Sequence, residues 1–275
     1  MPDPIRFKKM HGSGNDFILV DNRSMAVPLE KGSEAARKLC RLKFGIGADG
    51  LILIAESKNA DFKWYFFNAD GSEAEMCGNG GRCVARFALE AGICGTPLTF
   101  ETMAGIIHAE VNGKKVKLEL PAPEIVETSK TIAVREQNIT GTYLNTGVPH
   151  FVRFVTDVQA VPVYEMGRLI RHHEAFHPQG TNCNFVEVRD KNAVVVRTYE
   201  RGVEDETLAC GTGAVASAIA CALHHRCIPP VTVETWGGEQ LKIYFDLTGD
   251  GVKDVFLEGE AIIVYSGQLD GDLAI

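Results

Sequence analysis

No apolar run in this chain approaches the roughly 20 residues needed to cross a bilayer, and its start, Met1 to Lys9, is polar and charged where a secretion signal would be apolar. It has no basic block. With 28 Lys and Arg against 36 Asp and Glu the net charge is −8, which argues against a nucleic-acid or anionic-membrane partner. The expected compartment is the cytosol and the expected partner a small molecule. No two of the eight cysteines are separated by only two residues, so there is no Cys-x-x-Cys and no zinc-ribbon spacing, and no metal is expected. The eight histidines are scattered. His172-His173 and His224-His225 read as solvated helix faces. No Gly-x-x-x-x-Gly-Lys-Ser/Thr is present, which excludes a Walker-type nucleotide site, and Gly78-x-Gly80-Gly81 lacks the spacing of a dinucleotide fingerprint.

What the chain does have is a repeated cysteine loop. Met76-Cys77-Gly78-Asn79-Gly80-Gly81-Arg82 returns in altered form as Ala209-Cys210-Gly211-Thr212-Gly213-Ala214. After each, apolar residues recur at helical spacing: Cys83, Val84, Phe87, Ala88 and Ala91, then Val215, Ala218, Ile219, Ala222 and Leu223. Each cysteine therefore precedes a helix N-terminus, where unbonded N–H groups and the helix dipole favour a thiolate and can hold a carboxylate or phosphate beside it. The offset of 133 also carries Thr99-Phe100-Glu101-Thr102 onto Thr232-Val233-Glu234-Thr235, Gly105 onto Gly238, Gly14 onto Gly147 and Gly47 onto Gly180. This reads as an internal duplication. Two similar halves are expected to turn their cysteines toward each other across a pseudo-two-fold cleft. The length of 275 residues suits two moderate domains.

The first half is expected as residues 1–122, completed by a returning segment 262–275, and the second as 123–261, with the crossing at Pro121-Ala122-Pro123. Strands are expected at Ile5–Met10, Phe17–Asp21, Leu51–Ala55, Asp61–Asn68 and Leu98–Glu101. A hairpin follows around Asn112-Gly113. In the second half, strands are expected at His150–Val155, Asn184–Val188, Val194–Tyr199, Val231–Thr235, Leu241–Phe245 and Val255–Tyr265. Besides the two cysteine helices, Glu34–Phe44 and Tyr164–Phe176 read as helical. Many strands with about one long helix per half predict an α+β fold, each half a sheet wrapped around a central helix. Cys40, Cys83, Cys94, Cys183, Cys221 and Cys227 are expected as free thiols, mostly buried as small hydrophobes. The acidic run Glu204-Asp205-Glu206 reads as a surface loop.

The polar loops cluster in register. Gly12-Ser13-Gly14-Asn15-Asp16 corresponds to Thr146-Gly147-Val148-Pro149-His150, and Asn68 and Arg201 each precede a cysteine by nine residues. Two facing cysteines admit three readings. A disulfide is disfavoured in a cytosolic setting. A single nucleophile would need a positioned histidine and acid, and would not need the duplication. A thiolate and a thiol on opposite faces of one carbon would invert a stereocentre, one removing a proton and the other delivering one. The near-symmetry of the two faces of a carbanion is what a duplicated scaffold suits.

Together, His11-Gly12-Ser13-Gly14-Asn15-Asp16-Phe17, Asn68-Ala69-Asp70-Gly71-Ser72-Glu73, the two cysteine loops and Glu200-Arg201-Gly202 resemble the diaminopimelate epimerase family, from about residue 5 to about residue 267. The resemblance implies two domains of similar fold, often paired as a homodimer. It implies PLP-independent conversion of LL- to meso-diaminopimelate for lysine and peptidoglycan synthesis. It implies Cys77 and Cys210 as the acid/base pair, and the N–H groups of Gly78, Asn79, Gly211 and Thr212 at the substrate α-carboxylate. Asn15, Asn68, Asn182, Glu200 and Arg201 would bind substrate, and His150 and Glu200 would tune the thiols. The chain departs from the family pattern at Val148, where many members have Asn, and at Gly50, where some have Gln. Reaction type is therefore firmer than substrate. The alternatives are a cofactor-independent racemase of proline, histidine or glutamate on the same scaffold, and a non-catalytic binder of a small carboxylate.

Overall fold

The structure is a computed structural model that describes residues 5–249 and 251–269. The first four residues of the expected first half, and the part of the expected returning segment beyond residue 269, lie outside the described residues. The chain divides into two units, Met1–Leu118 with Gly259–Ile275, and Glu119–Glu258.

The first unit runs β1 (Arg6–Gly12), β2 (Asn15–Asp21), α1 (Gly32–Leu39), β3 (Gly50–Ala55), β4 (Phe62–Asn68), α2 (Gly78–Glu90), β5 (Leu98–Thr102), β6 (Gly105–Asn112) and β7 (Lys115–Glu119). The next elements are β8 (Glu124–Val134), β9 (Gln137–Asn145), β10 (Pro149–Phe154), α3 (Val163–Arg171), β11 (Asn182–Val188), β12 (Ala193–Glu200) and β13 (Asp205–Thr207). Then follow α4 (Gly211–Leu223), β14 (Val231–Thr235), β15 (Gln240–Thr248), β16 (Gly251–Glu260) and β17 (Ile262–Gln268).

Strand pairing makes the two units topological copies. In the first, β17 pairs antiparallel with β1, β1 with β2, then β2 lies parallel to β3, β3 antiparallel to β4, β4 parallel to β5, and β5 and β6 close antiparallel meanders. In the second, β8, β9, β10, β11, β12, β14, β15 and β16 follow with the same alternation of antiparallel and parallel steps. The helices keep the sequence offset: α2 and α4 are both 13 residues long and both begin one residue after a cysteine.

Each sheet is covered on both faces. In β3, Ile52 and Ile54 join α2 in one apolar cluster while Leu51 and Leu53 join α1 in another, the period-two division of a strand buried on both sides. In the second unit Val186 packs with α4, and Cys183 and Phe185 face the cluster under α3. Helix α4 is buried along nearly its whole length, from Gly213 to Ala222, as an all-round apolar helix must be. The α+β architecture of two similar halves is thus present, a helix at the centre of each.

Several local expectations are corrected. The helix expected over Glu34–Phe44 stops at Leu39, because Gly47 N–H and Ala48 N–H fold back onto the Leu39 and Cys40 carbonyls, with Lys43 and Gly47 at positive φ. The helix expected over Tyr164–Phe176 breaks after Arg171 into a separate 3-10 turn, Glu174–Phe176, capped by the His173 side chain. Strand β8 has no signal in the sequence, because it is mostly exposed and carries no alternating apolar face over its first half; it is held by pairing to β9. The acidic run contains β13, held by pairing to β12 and by a bidentate Arg197–Glu206 contact. The strand expected over Val255–Tyr265 is two strands, parted at Ala261.

Cys221 and Cys227 are also corrected, since the structure joins them in a disulfide. Beyond α4 the chain turns through His225 at positive φ, and Arg226 N–H bonds back to the Cys221 carbonyl. The turn brings the two Cα atoms to 5.3 Å, inside the range a disulfide spans. Spacing in sequence gives no hint of it. Burial pushes the Cys40 thiol up to about 12 and the Cys94 thiol up to about 11, and raises Cys183 as well. These three stay protonated at neutral pH, Cys40 and Cys183 buried and Cys94 half-buried.

Candidate active site

In the first unit Cys77 is the N-cap of α2, with extended backbone at φ −144° and ψ 119°. Its sulfur accepts the Gly80 N–H at 3.4 Å and lies 3.6 Å from Asn15 Oδ1. The first backbone bond of α2 runs from Gly81 N–H to the Cys77 carbonyl. The N–H groups of Gly78 and Asn79 therefore precede the helix's own bonding and are available to an anion. A Cβ built at Gly78 meets nothing within 4 Å, so packing does not demand glycine there.

Asn15 is held from two sides. Its Nδ2 donates to Asp49 Oδ2 at 2.7 Å, and its Oδ1 accepts from Asn79 Nδ2 at 3.4 Å. Asp49 also takes the Asp16 N–H, while Asp16 pairs with the buried Lys9 at 2.8 Å. Asn79 Oδ1 in turn accepts from Arg82 Nη2 at 2.9 Å, and the same nitrogen donates to Ser13 Oγ at 2.7 Å. Arg82 is fully buried. A chain of polar contacts thus runs from a buried guanidinium through Asn79 and Asn15 to the sulfur. Asn68 sits at the end of β4 with its amide donating to Ser72 Oγ at 3.0 Å.

In the second unit Cys210 is the N-cap of α4, buried, with its sulfur 3.5 Å from Thr212 Oγ1. The Thr146 hydroxyl donates to the Thr212 carbonyl at 3.4 Å, which ties the loop before β10 to the start of α4. A small cavity beside Cys210 is lined by Thr198, Thr207, Val233 and Thr235. Asn182 is buried and turned to backbone: Oδ1 accepts Arg201 N–H at 2.7 Å, and Nδ2 donates to the Pro149 carbonyl at 3.1 Å. In this structure it positions Arg201 and the start of β10. Arg201 Nη1 donates to the Gln179 carbonyl at 3.3 Å. Glu200 closes β12, and burial raises its carboxyl above the ordinary range. His150 is fully buried, and its Nδ1 lies 3.1 Å from Asn184 Nδ2. Burial first, and the Arg201 charge second, lower His150 to about 3.

The His150 shift makes a pH prediction. A base whose folded value lies below its unfolded value of about 6.5 contributes its full stability above that value. The contribution is lost as pH falls toward 3, at about 1.4 kcal/mol per pH unit. Urea denaturation at a series of pH values is expected to show the stability difference between wild type and His150→Gln moving against the wild type as pH drops below 6.5. A pH-independent difference would contradict a neutral buried imidazole.

Three polar residues of this region escape a reading of motifs alone, Asp49, Asn184 and Thr198, and Arg82 stands in the cysteine motif with no role that the motif reveals. Asp49 had a signal. The offset of 133 makes it the partner of Asn182, and both brace the residue that enters a parallel strand, Asp16 or Pro149. Gly50 is a packing glycine, since a Cβ there would stand 2.6 Å from the Phe66 ring and 2.9 Å from the Phe67 carbonyl.

Gly80 and Gly213 hold the same position in α2 and α4 but have different surroundings. A Cβ at Gly213 would lie 2.4 Å from Asn184 Oδ1 and 3.3 Å from Cys210 Sγ, whereas one at Gly80 meets Ile52 Cδ1 at 3.3 Å. Gly213→Ala is expected to cost about 1–3 kcal/mol through overpacking. Gly80→Ala, offset by better helix propensity, is expected to be near neutral. Thermal denaturation of the pair checks this, and equal losses would refute it.

Comparison with known proteins agrees with the architecture. The family model for diaminopimelate epimerase matches residues 7–126 and 142–264. The chain is 49% identical to the diaminopimelate epimerase of Aquifex aeolicus (strain VF5), over 98% of this chain and 99% of that one. It is 45% identical to that of Hydrogenobaculum sp. (strain Y04AAS1), over 96% and 98%, and 42% identical to that of Methanocella arvoryzae, over 98% of each. Among solved structures it is similar to a Bacillus anthracis phenazine biosynthesis protein of the PhzF family, with TM-score 0.74, 16% identity and coverage of 98% and 99%. It is also similar to a hydroxyproline epimerase from Agrobacterium vitis with bound trans-4-OH-L-proline, with TM-score 0.70, 19% identity and coverage of 98% and 93%. The two structures share the fold. With duplicated units, a cysteine capping the central helix of each, and near-full-length identity to named relatives, this chain belongs to the diaminopimelate epimerase family of isomerases.

Proposed function

We propose that the protein interconverts LL- and meso-diaminopimelate without PLP, with Cys77 and Cys210 acting on one α-carbon from opposite faces. The observation that carries this reading is the matched placement of the two cysteines. Each unit supplies one thiol, each at the cap of a buried 13-residue helix, at the same register of a duplicated fold. In one direction the thiolate removes the α-hydrogen and the opposing thiol returns a proton to the other face; in the reverse direction the roles exchange. Helix N-termini favour the thiolate form. The same N–H groups, at Gly78, Asn79, Gly211 and Thr212, would bind the α-carboxylate. Withdrawing electron density from it makes the α-hydrogen more acidic, and the developing carbanion is stabilised where charge appears.

Asn15, held by Asp49 and Asn79, and Arg201, placed by Asn182, would bind the rest of the substrate along with Asn68 and Glu200. His150 and Glu200 would set the electrostatics around Cys210. Because the chemistry needs a dry site, closure on substrate is expected. In this reading the protein acts in lysine and peptidoglycan synthesis in the cytosol, as a homodimer.

Purified protein, stripped of PLP, is expected to exchange the α-hydrogen of diaminopimelate with solvent deuterium. Exchange that appears only on adding PLP would overturn the proposal. Proline, histidine and glutamate, tested alongside, decide between this reading and a racemase of another amino acid.

A further inference from the structure

The duplication supplies an internal control for the surroundings of the two cysteines. Under the second unit's helix lies a buried polar row, His150, Asn184 and Thr198, with exposures of 0%, 0% and 3%. The matching places in the first unit, set by strand pairing and by the helix each faces, hold Phe17, Ile52 and Phe66, all buried and apolar. The fold can therefore be built at these places without polar groups. Burying them carries a desolvation cost that stability alone does not require.

The row has one consistent proton arrangement. Asn184 makes three contacts: Nδ2 to His150 Nδ1 at 3.1 Å, Nδ2 to the Phe151 carbonyl at 3.4 Å, and Oδ1 from the Thr198 hydroxyl at 2.9 Å. A carbonyl oxygen can only accept, so the Phe151 contact requires the amide's N–H end on that side. That same end faces His150, so Nδ1 must be the accepting nitrogen and the ring proton must sit on Nε2. The Nε2 atom has no hydrogen-bond partner among the described residues. On its far side Asn184 abuts the first turn of α4. The room left by Gly213, where a Cβ would lie 2.4 Å from Asn184 Oδ1 and 3.3 Å from Cys210 Sγ, places this amide directly beneath the cysteine's turn.

We propose that Asn184 is a positioning residue that, oriented by Thr198 and the Phe151 carbonyl, locks His150 in the neutral form protonated on Nε2 and so fixes the donor that His150 presents in the half of the site built on Cys210. The functional half of this inference rests on the proposed epimerase reading. The tautomer does not, and it is measured without turnover.

The test is long-range 1H–15N NMR of the full-length protein carrying 15N-histidine, with the His150 signals assigned by their loss in His150→Gln. Wild type is expected to show an unprotonated Nδ1 and a protonated Nε2. Asn184→Asp replaces the donor with a carboxylate that only accepts, and is expected to move the proton to Nδ1. Diaminopimelate epimerisation by that variant is expected to fall at least tenfold in kcat with KM changed less than threefold. A wild-type His150 protonated on Nδ1 overturns the proposal even if the variant does not fold. So does an Asn184→Asp protein whose His150 keeps its proton on Nε2, or one whose tautomer switches with kcat unchanged. If wild type proves inactive on diaminopimelate while His150 carries its proton on Nε2, the placement by Asn184 stands and the epimerase reading alone fails.

Discussion

Cys77→Ala and Cys210→Ala are each expected to lower the rate of diaminopimelate epimerisation by at least about 10³-fold, within the range that positioned acid/base groups contribute. The reason is stereochemical. With one sulfur gone, a carbanion can be formed from one stereoisomer but has no donor on its opposite face, so configuration is retained. Each variant is therefore expected to keep slow exchange of the α-hydrogen with deuterium in one stereoisomer and to lose it in the other, and the two variants are expected to show opposite preferences. Removing either side chain leaves the helix behind it unchanged. The Cys77 sulfur accepts the Gly80 N–H, and the Cys210 sulfur lies 3.5 Å from Thr212 Oγ1 in its own first turn. Circular dichroism and thermal denaturation are expected to stay close to wild type. Retention of epimerisation by either variant would remove the two-base reading.

The second large effect is expected at Arg82. This fully buried guanidinium donates to Ser13 Oγ at 2.7 Å, Asn79 Oδ1 at 2.9 Å and the Glu260 carbonyl at 3.3 Å. Arg82→Met keeps most of the volume but removes hydrogen bonds from a charged donor to half-buried acceptors, each worth about 1.5–3 kcal/mol. A loss of about 3 kcal/mol or more in urea denaturation is expected. It also frees Asn79, and through it Asn15, whose Oδ1 lies 3.6 Å from the Cys77 sulfur. Activity is therefore expected to fall even at temperatures where the variant is fully folded. Full activity in a folded Arg82→Met protein would show that the polar chain to Cys77 has no catalytic consequence. In the sequence Arg82 is a charged residue near the start of a helix. Only the tertiary structure shows it turned inward, with the backbone of Gly12 so near that a Cβ there would stand 2.9 Å from Nη2.

The sequence by itself determined the duplication and the cysteine caps. A repeat at constant offset survives because the two units bury equivalent helices against equivalent strands, so the apolar spacing after Cys77 and Cys210 has to persist in both. The cap position is equally local, because the residue just before a helical run faces that run's unbonded N–H groups. The tertiary structure decided what no local pattern encodes. Asp49, Arg82, Asn184 and Thr198 matter through partners 3 to 178 residues away in sequence, and polarity alone does not separate a buried polar residue from a solvated one. The Cys221–Cys227 bridge depended on a turn closed at positive φ by His225, and β8 on pairing with β9 rather than on an apolar face of its own. The asymmetry beneath the two helices, apolar under α2 and polar under α4, became visible only when the fold laid Phe17, Ile52 and Phe66 at the places that His150, Asn184 and Thr198 occupy in the second unit.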